Sequence, residues 1–264
     1  MNELSLIPAQ RHILLLSALR SEGPLSIRVL AERLGVSHMT VRRDVAELAE
    51  AGEVTQIRGG VRLTEDPGSA VPLDLPGRLD LERPRKEGIA EIAAERVEDG
   101  MCVFLDAGTT MQTLAPLLAG RRDLTVVTTD LAVASALLGV EGISTVLAGG
   151  TIDPMVRATE GHIAATVAGM YNYDCAFLSS PGWSLSRGLT SPTEGKRELK
   201  RAVMQVATRS ILLSDSSKYG NLSALTVCAL EELDEIICDD GLRAEVRERI
   251  RETAVELVVT PVQS

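Results

Sequence analysis

Apolar residues recur at two different spacings along this chain, and the spacing changes once. Up to about residue 50 the interval is helical. Pro8 to Arg20 reads as a helix with Ile13, Leu16 and Leu19 turned inward. Leu30 and Leu34 mark the buried side of a second helix, closed by Gly35 as its C-cap glycine. Ser37 is the N-cap of a third, on which Val41, Val45 and Leu48 form one apolar stripe at i, i+4 and i+7. Val54 to Ile57 then reads as a strand that runs into Arg58-Gly59-Gly60. From about Arg78 onward, short apolar runs alternate with amphipathic segments. The runs are Met101–Leu105, Leu124–Thr128, Ile143–Leu147, Cys175–Leu178, Ser210–Ser214, Glu235–Cys238 and Val255–Val259. Strands alternating with helices predict a mostly parallel sheet covered on both faces. Between the two textures lies Thr64 to Gly77, TEDPGSAVPLDLPG, which is rich in Pro and Gly and lacks helical periodicity. The expected organisation is therefore a winged helix–turn–helix over 1–63, a linker over 64–77 and an α/β domain over 78–264.

The third helix carries chemistry on its outer side. Away from the apolar stripe it carries His38, Thr40, Arg42 and Arg43 beyond the capping Ser37, as suits a helix inserted into the major groove of DNA. Arg58, at the tip of the strand that follows, is placed to touch backbone phosphate as part of a wing. An ordinary solvated helix with two arginines is the competing reading. The short glycine turn, the capping serine and the basic strand together weigh against it.

Charge first argues the other way, because the net charge is -10. Its distribution changes the picture. Residues 1–63 hold eight Lys/Arg against seven Asp/Glu, so the excess acid lies in the second domain. The first module is only marginally basic, and specificity must come from local arginines. Aromatic residues make up 2% of the chain, which excludes a stacking platform for single-stranded nucleic acid. The four cysteines and three histidines are scattered, so neither a disulfide framework nor a metal site is expected, and no cofactor. No apolar run reaches membrane-spanning length and the start lacks the features of a signal peptide. The expectation is a cytoplasmic protein without a membrane partner.

In open α/β sheets ligands bind beyond the carboxyl ends of the strands, so the residues that follow each strand matter most. After the first comes Asp106-Ala107-Gly108-Thr109-Thr110, opening a helix. Glycine lets the backbone approach an anion, and threonine hydroxyls with helix N-terminal amides supply donors. No Gly-Lys-Ser/Thr is present, so this is not a Walker A loop. Thr128, with Thr129-Asp130 after it, ends the second strand. Gly149-Gly150 follows the third, and Asp215-Ser216-Ser217-Lys218 follows Ser214. Lys218 is a natural partner for a phosphate dianion. Glu194, just beyond Gly188-Leu189-Thr190, is a candidate acceptor for a sugar hydroxyl. Each has a plainer reading: Lys218 as a solvated loop lysine, Glu194 as a helix N-terminal glutamate stabilised by the dipole.

Both halves resemble the DeoR family of bacterial transcriptional regulators. The first does so in LAERLGVSHMTVRRDVAELAEAG and RGGV, the second in LDAGTT, LTVVTTD, LAGG, GLT followed by Glu194 and Lys200-Arg201-Ala202, and DSSKYG. The resemblance covers about Arg11 to Asp239, with the motifs in the family's order. It implies a winged helix–turn–helix that reads operator DNA. It also implies an α/β effector domain similar to ribose-5-phosphate isomerase, binding a phosphorylated sugar or related metabolite. By position, Ser37, Thr40, Arg42 and Arg43 match the recognition helix. Asp106, Gly108, Thr109, Thr110 and Lys218 match the sugar-phosphate pocket. Two departures stand out. Asp130 would place a carboxylate at the pocket mouth, and Trp183, in Leu178-Ser179-Ser180-Pro181-Gly182-Trp183, would add bulk near it. The expected protein is an oligomeric repressor of carbohydrate genes, pairing two winged modules on double-stranded operator DNA under control of a phosphorylated sugar. Two alternatives stay open: an aldose–ketose isomerase acting on a sugar phosphate, and a DNA-binding protein with a non-functional effector pocket.

Overall fold

The computed structural model describes residues 8–22, 25–51, 53–57, 60–63 and 82–262. Arg58 and the expected linker over 64–77 lie outside the described residues. By contacts the chain divides into two compact units, Met1–Val71 and Pro72–Ser264.

In the first unit, helices α1 (Pro8–Glu22), α2 (Ile27–Leu34) and α3 (His38–Glu50) precede an antiparallel hairpin of β1 (Val54–Ile57) and β2 (Gly60–Leu63). The local chemistry fixes each boundary. The Ser26 hydroxyl accepts from the Val29 amide and starts α2, and Gly35 ends it at φ 64°, a conformation glycine adopts without a side-chain clash. The Ser37 hydroxyl accepts from the Thr40 amide and starts α3. Leu25 pairs with Val61 and ties the entrance of α2 to the hairpin. That approach is close. A Cβ on Gly60 would lie 2.4 Å from the Leu25 carbonyl oxygen, so only glycine fits there.

The core of this unit joins Leu15, Leu16, Leu19, Leu30, Leu34, Val41, Val45, Leu48, Val54 and Val61. The sequence pattern placed Ile13 inward, and the structure corrects this. Ile13 is 67% exposed and Leu15 is fully buried. Four consecutive apolar residues, Ile13 to Leu16, cover every side of a helix, so periodicity alone does not choose between them. Asp44 is also buried, on the inner side of α3. Its carboxylate accepts two hydrogen bonds from the Arg11 guanidinium, Nε to Oδ2 and Nη2 to Oδ1, both at 2.8 Å. Those bonds hold the Asp44 carboxyl below its ordinary range.

The second unit is built on a seven-stranded, wholly parallel sheet. Its strands are β3 (Cys102–Leu105), β4 (Leu124–Thr128), β5 (Ile143–Leu147), β8 (Tyr173–Leu178), β11 (Ala207–Ser214), β13 (Glu235–Asp239) and β14 (Glu256–Thr260). Their spatial order is β14-β13-β11-β8-β3-β4-β5. Successive side chains in a strand point to opposite faces. Val103, Leu105, Phe177, Ile211, Leu213 and Ile237 therefore pack on one side, and Phe104, Ala176, Leu178, Leu212 and Ile236 on the other. Both sides are covered, which is why these strands read as continuous apolar runs. Helices α4 (Arg83–Ala94), α5 (Thr109–Leu114) and α6 (Leu131–Leu137) cover the first face. Helices α7 (His162–Ala168), α8 (Glu194–Val206) and α9 (Ala244–Arg251) cover the second.

The spacing of apolar residues did not reveal the short strands. A hairpin of β6 (Thr151–Asp153) and β7 (Ala158–Glu160) and a small antiparallel sheet of β9 (Trp183–Ser184), β10 (Gly188–Ser191) and β12 (Leu225–Cys228) complete the unit. They are two to four residues long and mix small polar with apolar residues.

Candidate functional site

The side of α3 open to a DNA partner follows from its burial. Val41, Asp44, Val45 and Leu48 face the core, and His38, Met39, Arg42 and Arg43 face solvent. Arg43 is 83% exposed and makes only a loose contact, 3.3 Å, with Glu47 one turn on. Ser37 and Thr40 are engaged locally. Besides accepting from the Thr40 amide, the Ser37 hydroxyl bonds the Thr40 hydroxyl at 2.9 Å. These two side chains shape the start of the helix, and among the described residues the exposed cations of the expected set are Arg42 and Arg43. Among the described residues one group of potential metal ligands converges, His12, Asp44 and Glu47. Both Asp44 oxygens already face the Arg11 cation, which opposes a metal ion there.

The second site lies where the sheet reverses its order. From β3 the chain winds outward through β4 to β5, returns, and winds the other way from β8 to β14. The carboxyl ends of β3 and β8 flank this switch point, where an open α/β sheet offers a crevice. A cavity of about 320 Å³ occupies it. Asp106, directly after β3, and Ser179, directly after β8, are locked together. The Ser179 amide and hydroxyl both donate to Asp106 Oδ2, at 2.9 and 3.0 Å. The Lys200 ammonium, reaching in from α8, donates to the same oxygen, and both members of this pair are buried. The Ala107 amide takes Asp106 Oδ1.

The cavity wall includes Asp106, Gly108, Thr109, Thr110 and Lys218 from the expected set. Thr128, Gly149, Gly150 and Glu194 do not reach it. Thr128 points to the other side of the sheet end, where its hydroxyl accepts from the Asp130 amide. Its neighbour Thr129 lines the cavity instead, because side chains alternate along an extended strand. Thr129 is fully buried and its hydroxyl has no hydrogen-bond partner among the described residues. Gly149 is exposed in open space, and Gly150 permits the backbone to pass the Glu160 carbonyl, 2.6 Å from where a Cβ would sit. Glu194 is exposed in the first turn of α8, which matches its plainer reading.

One expectation about the mouth is corrected. Asp130 is fully buried and caps α6, accepting from the Ala132 and Val133 amides through Oδ1. Its Oδ2 takes the Gly108 amide and the Gln112 side chain. It therefore orders the Asp106–Thr110 loop from behind and does not stand in the ligand's way. The same bonds take up the Gly108 amide, and Asp106 takes that of Ala107, so these two donors are not open to an anion. Trp183 is fully buried just behind the wall, donating from Nε1 to the hydroxyl of the lining residue Ser214 at 2.8 Å and packing edge-on against Tyr219, so its bulk lies near the cavity without facing into it.

The cationic groups at the cavity come from elsewhere. Lys86 on α4, Lys196 and Lys200 on α8, and Lys218 in the 3₁₀ turn Ser216–Lys218 all line the wall. Of 27 Lys and Arg in the chain these are the only four lysines, and no arginine among the described residues lines the cavity. Lys196 bonds Asp153 and lies 3.6 Å from Glu160. Burial alone would raise the Asp153 carboxyl, but the Lys196 bond, together with the Met155 amide, lowers it below its ordinary range. The Lys218 ammonium has no ion-pair partner among the described residues. Its turn is braced from below: buried Asp239 accepts from the Ser216 amide and hydroxyl, and Arg85 on α4 donates to the same hydroxyl at 3.3 Å. Burial raises all four cysteine thiols, Cys228 to about 11, so none is poised as a thiolate.

An arginine-bearing recognition helix in one unit and a lysine-lined cavity in the other define a ligand-controlled DNA-binding regulator. Comparison with known proteins makes the class specific. The model of the DeoR-like helix-turn-helix domain matches residues 11–66, and that of the DeoR C terminal sensor domain matches residues 82–240. The chain belongs to the DeoR family of transcriptional regulators. It is 38% identical over 255 residues to an HTH-type transcriptional regulator of Haemophilus influenzae, covering 97% of this chain and 98% of that one. It is 36% identical to the regulator YgbI of Escherichia coli, covering 90% and 92%. The glycerol-3-phosphate regulon repressor of Escherichia coli is 28% identical, covering 87% and 90%. Among solved structures, ribose 5-phosphate isomerase A of Methanocaldococcus jannaschii aligns over 51% of this chain and 53% of its own at 18% identity, with a TM-score of 0.37.

Proposed function

We propose that this regulator is a cytoplasmic repressor of carbohydrate genes whose sensor cavity takes a phosphorylated sugar. The observation that carries the reading is the wall itself. An Arg-rich chain places every lysine it has around one 320 Å³ cavity, beside the unpartnered Thr129 hydroxyl. Compact ammonium groups suit a phosphate, and a buried orphan hydroxyl suits a sugar oxygen that completes its bonding. The glycerol-3-phosphate regulon repressor among its relatives agrees with that chemistry.

The ligand would also touch the element that carries the signal. Glu82 and Lys86, at the start of α4, belong to the wall, and α4 is the first described helix after the expected linker. A ligand that favours one position of this turn shifts DNA affinity by its difference in affinity for the two positions. Two winged modules would be paired by oligomerisation of the second unit, matching repeated or inverted half-sites.

Isomerase turnover is disfavoured by how the carboxylates are engaged. A general base needs an oxygen open to substrate. Both Asp106 oxygens accept from the protein, the Asp215 Oδ1 accepts from Ser217, the Glu82 Oε2 is paired with Arg85 at 3.0 Å, and Glu194 is outside the cavity. The test is a thermal-shift panel of sugar phosphates against their parent sugars on the full-length protein. One phosphate should raise the melting temperature while its parent does not. The proposal fails if every compound leaves it unchanged, or if parent and phosphate act alike. At a hundredfold excess over Kd the expected stabilisation is ~2.7 kcal/mol.

A further inference from the structure

The centre of the DNA-facing side of α3 is apolar. Successive residues of a helix turn by roughly 100°. The line opposite buried Val41, Asp44, Val45 and Leu48 runs through Met39, Ala46 and Glu50, with Arg42 and Arg43 on its two flanks. Met39 sits in the first turn of the helix and is 74% exposed, more than any other large apolar residue described in this unit. An unbranched thioether held in water by a folded helix has nothing to gain from the fold itself. Its polar neighbours at the helix start, Ser37 and Thr40, are occupied with each other and with capping. Met39 therefore stands forward of them, between two exposed guanidinium groups that complement the phosphate walls of a groove.

We infer that Met39 is a specificity-determining residue that packs against the 5-methyl group of a thymine in the major groove of the operator. The thymine methyl is the one apolar feature that the bases display on that side. N-terminal residues of a recognition helix are the ones that meet base edges. Arg42 and Arg43 supply the attraction to DNA, and Met39 supplies a contact that only a methyl-bearing base satisfies. The small side chain at Ala46, two turns further along the same line, lets the helix lie close to the groove floor.

The experiment starts from an operator selected out of random duplexes with the full-length protein. Each thymine is then replaced singly by deoxyuridine, which removes the methyl and nothing else. At one position the wild-type protein should lose about fourfold in affinity, the factor that ~0.8 kcal/mol for one buried methyl corresponds to. Met39→Ala should bind the unmodified operator more weakly and be indifferent to deoxyuridine at that position, while Met39→Leu retains sensitivity. The inference is overturned if no deoxyuridine weakens wild-type binding, or if Met39→Ala keeps the full wild-type response. Because Met39 is exposed, unchanged melting temperatures of both variants separate this outcome from misfolding.

Discussion

The recognition helix and the cavity wall use different cations in different surroundings. Arg42 and Arg43 stand in solvent on α3, tied to the fold by little more than a 3.3 Å contact to Glu47. Lys86 and Lys200 are buried, and Lys200 is fastened to buried Asp106. The guanidinium is a broad fork that reads a base edge or phosphate with two donors at once. The ammonium is a compact point charge that fits a small cavity. The difference teaches where each charge belongs energetically. The exposed arginines are separable from stability, whereas the buried lysines are part of what holds the switch point together.

The sharpest way to break that comparison is Lys200→Met. It leaves Asp106 charged, buried and short of its cation, and should cost about 3–5 kcal/mol in a denaturant titration. Asp106→Asn combined with Lys200→Met should recover most of the loss. If the single variant is as stable as the wild type, the pair contributes nothing and the contrast falls. Arg43→Ala should show the opposite profile. Operator affinity should drop by about 1–3 kcal/mol, while stability changes by less than about 0.5 kcal/mol, measured by fluorescence anisotropy and melting. Lys218→Ala tests the lysine that has no ion-pair partner among the described residues. Stability and DNA affinity should hold within about 0.5 kcal/mol while the response to the effector disappears, and a loss of DNA binding would make this residue structural. Acid gives the mildest test. The Asp44 carboxyl is held low in the folded state, so its pairing with Arg11 stabilises the winged unit above the usual carboxylate pKa of ~3.9. That contribution is constant through neutral pH and fades only as pH falls below this value through the depressed one, so a melting series should show the Asp44 contribution to the winged unit lost in acid alone.

The two regions also differ in how far the sequence reveals them. The winged unit is made of neighbours in the chain. Ser26, Gly35 and Ser37 cap within one turn of themselves, and the stripe of Val41, Val45 and Leu48 states which side of α3 is buried. Ile13 misled, within a run of four apolar residues. The cavity is made of distant segments. Asp106, Gly108 to Thr110 and Lys218 are visible because each follows a strand. Lys196 and Lys200 lie within a helix whose orientation depends on tertiary packing, and Lys86 lies on a helix before the sheet begins. Thr128 and Thr129 could not be told apart without knowing which residue ends the pleat. Asp130 looked like a ligand neighbour because a helix cap and an exposed loop carboxylate have the same spelling.

The confinement of lysine has one more consequence. Acylation of an ε-amino group removes its charge, and in most proteins such chemistry is scattered over the surface. Here every ε-amino group lines one cavity, and the recognition helix carries none. A reagent or metabolite that acylates lysine therefore writes only on the sensor. Its progress, and its protection by a bound ligand, would be a direct record of occupancy in the intact protein.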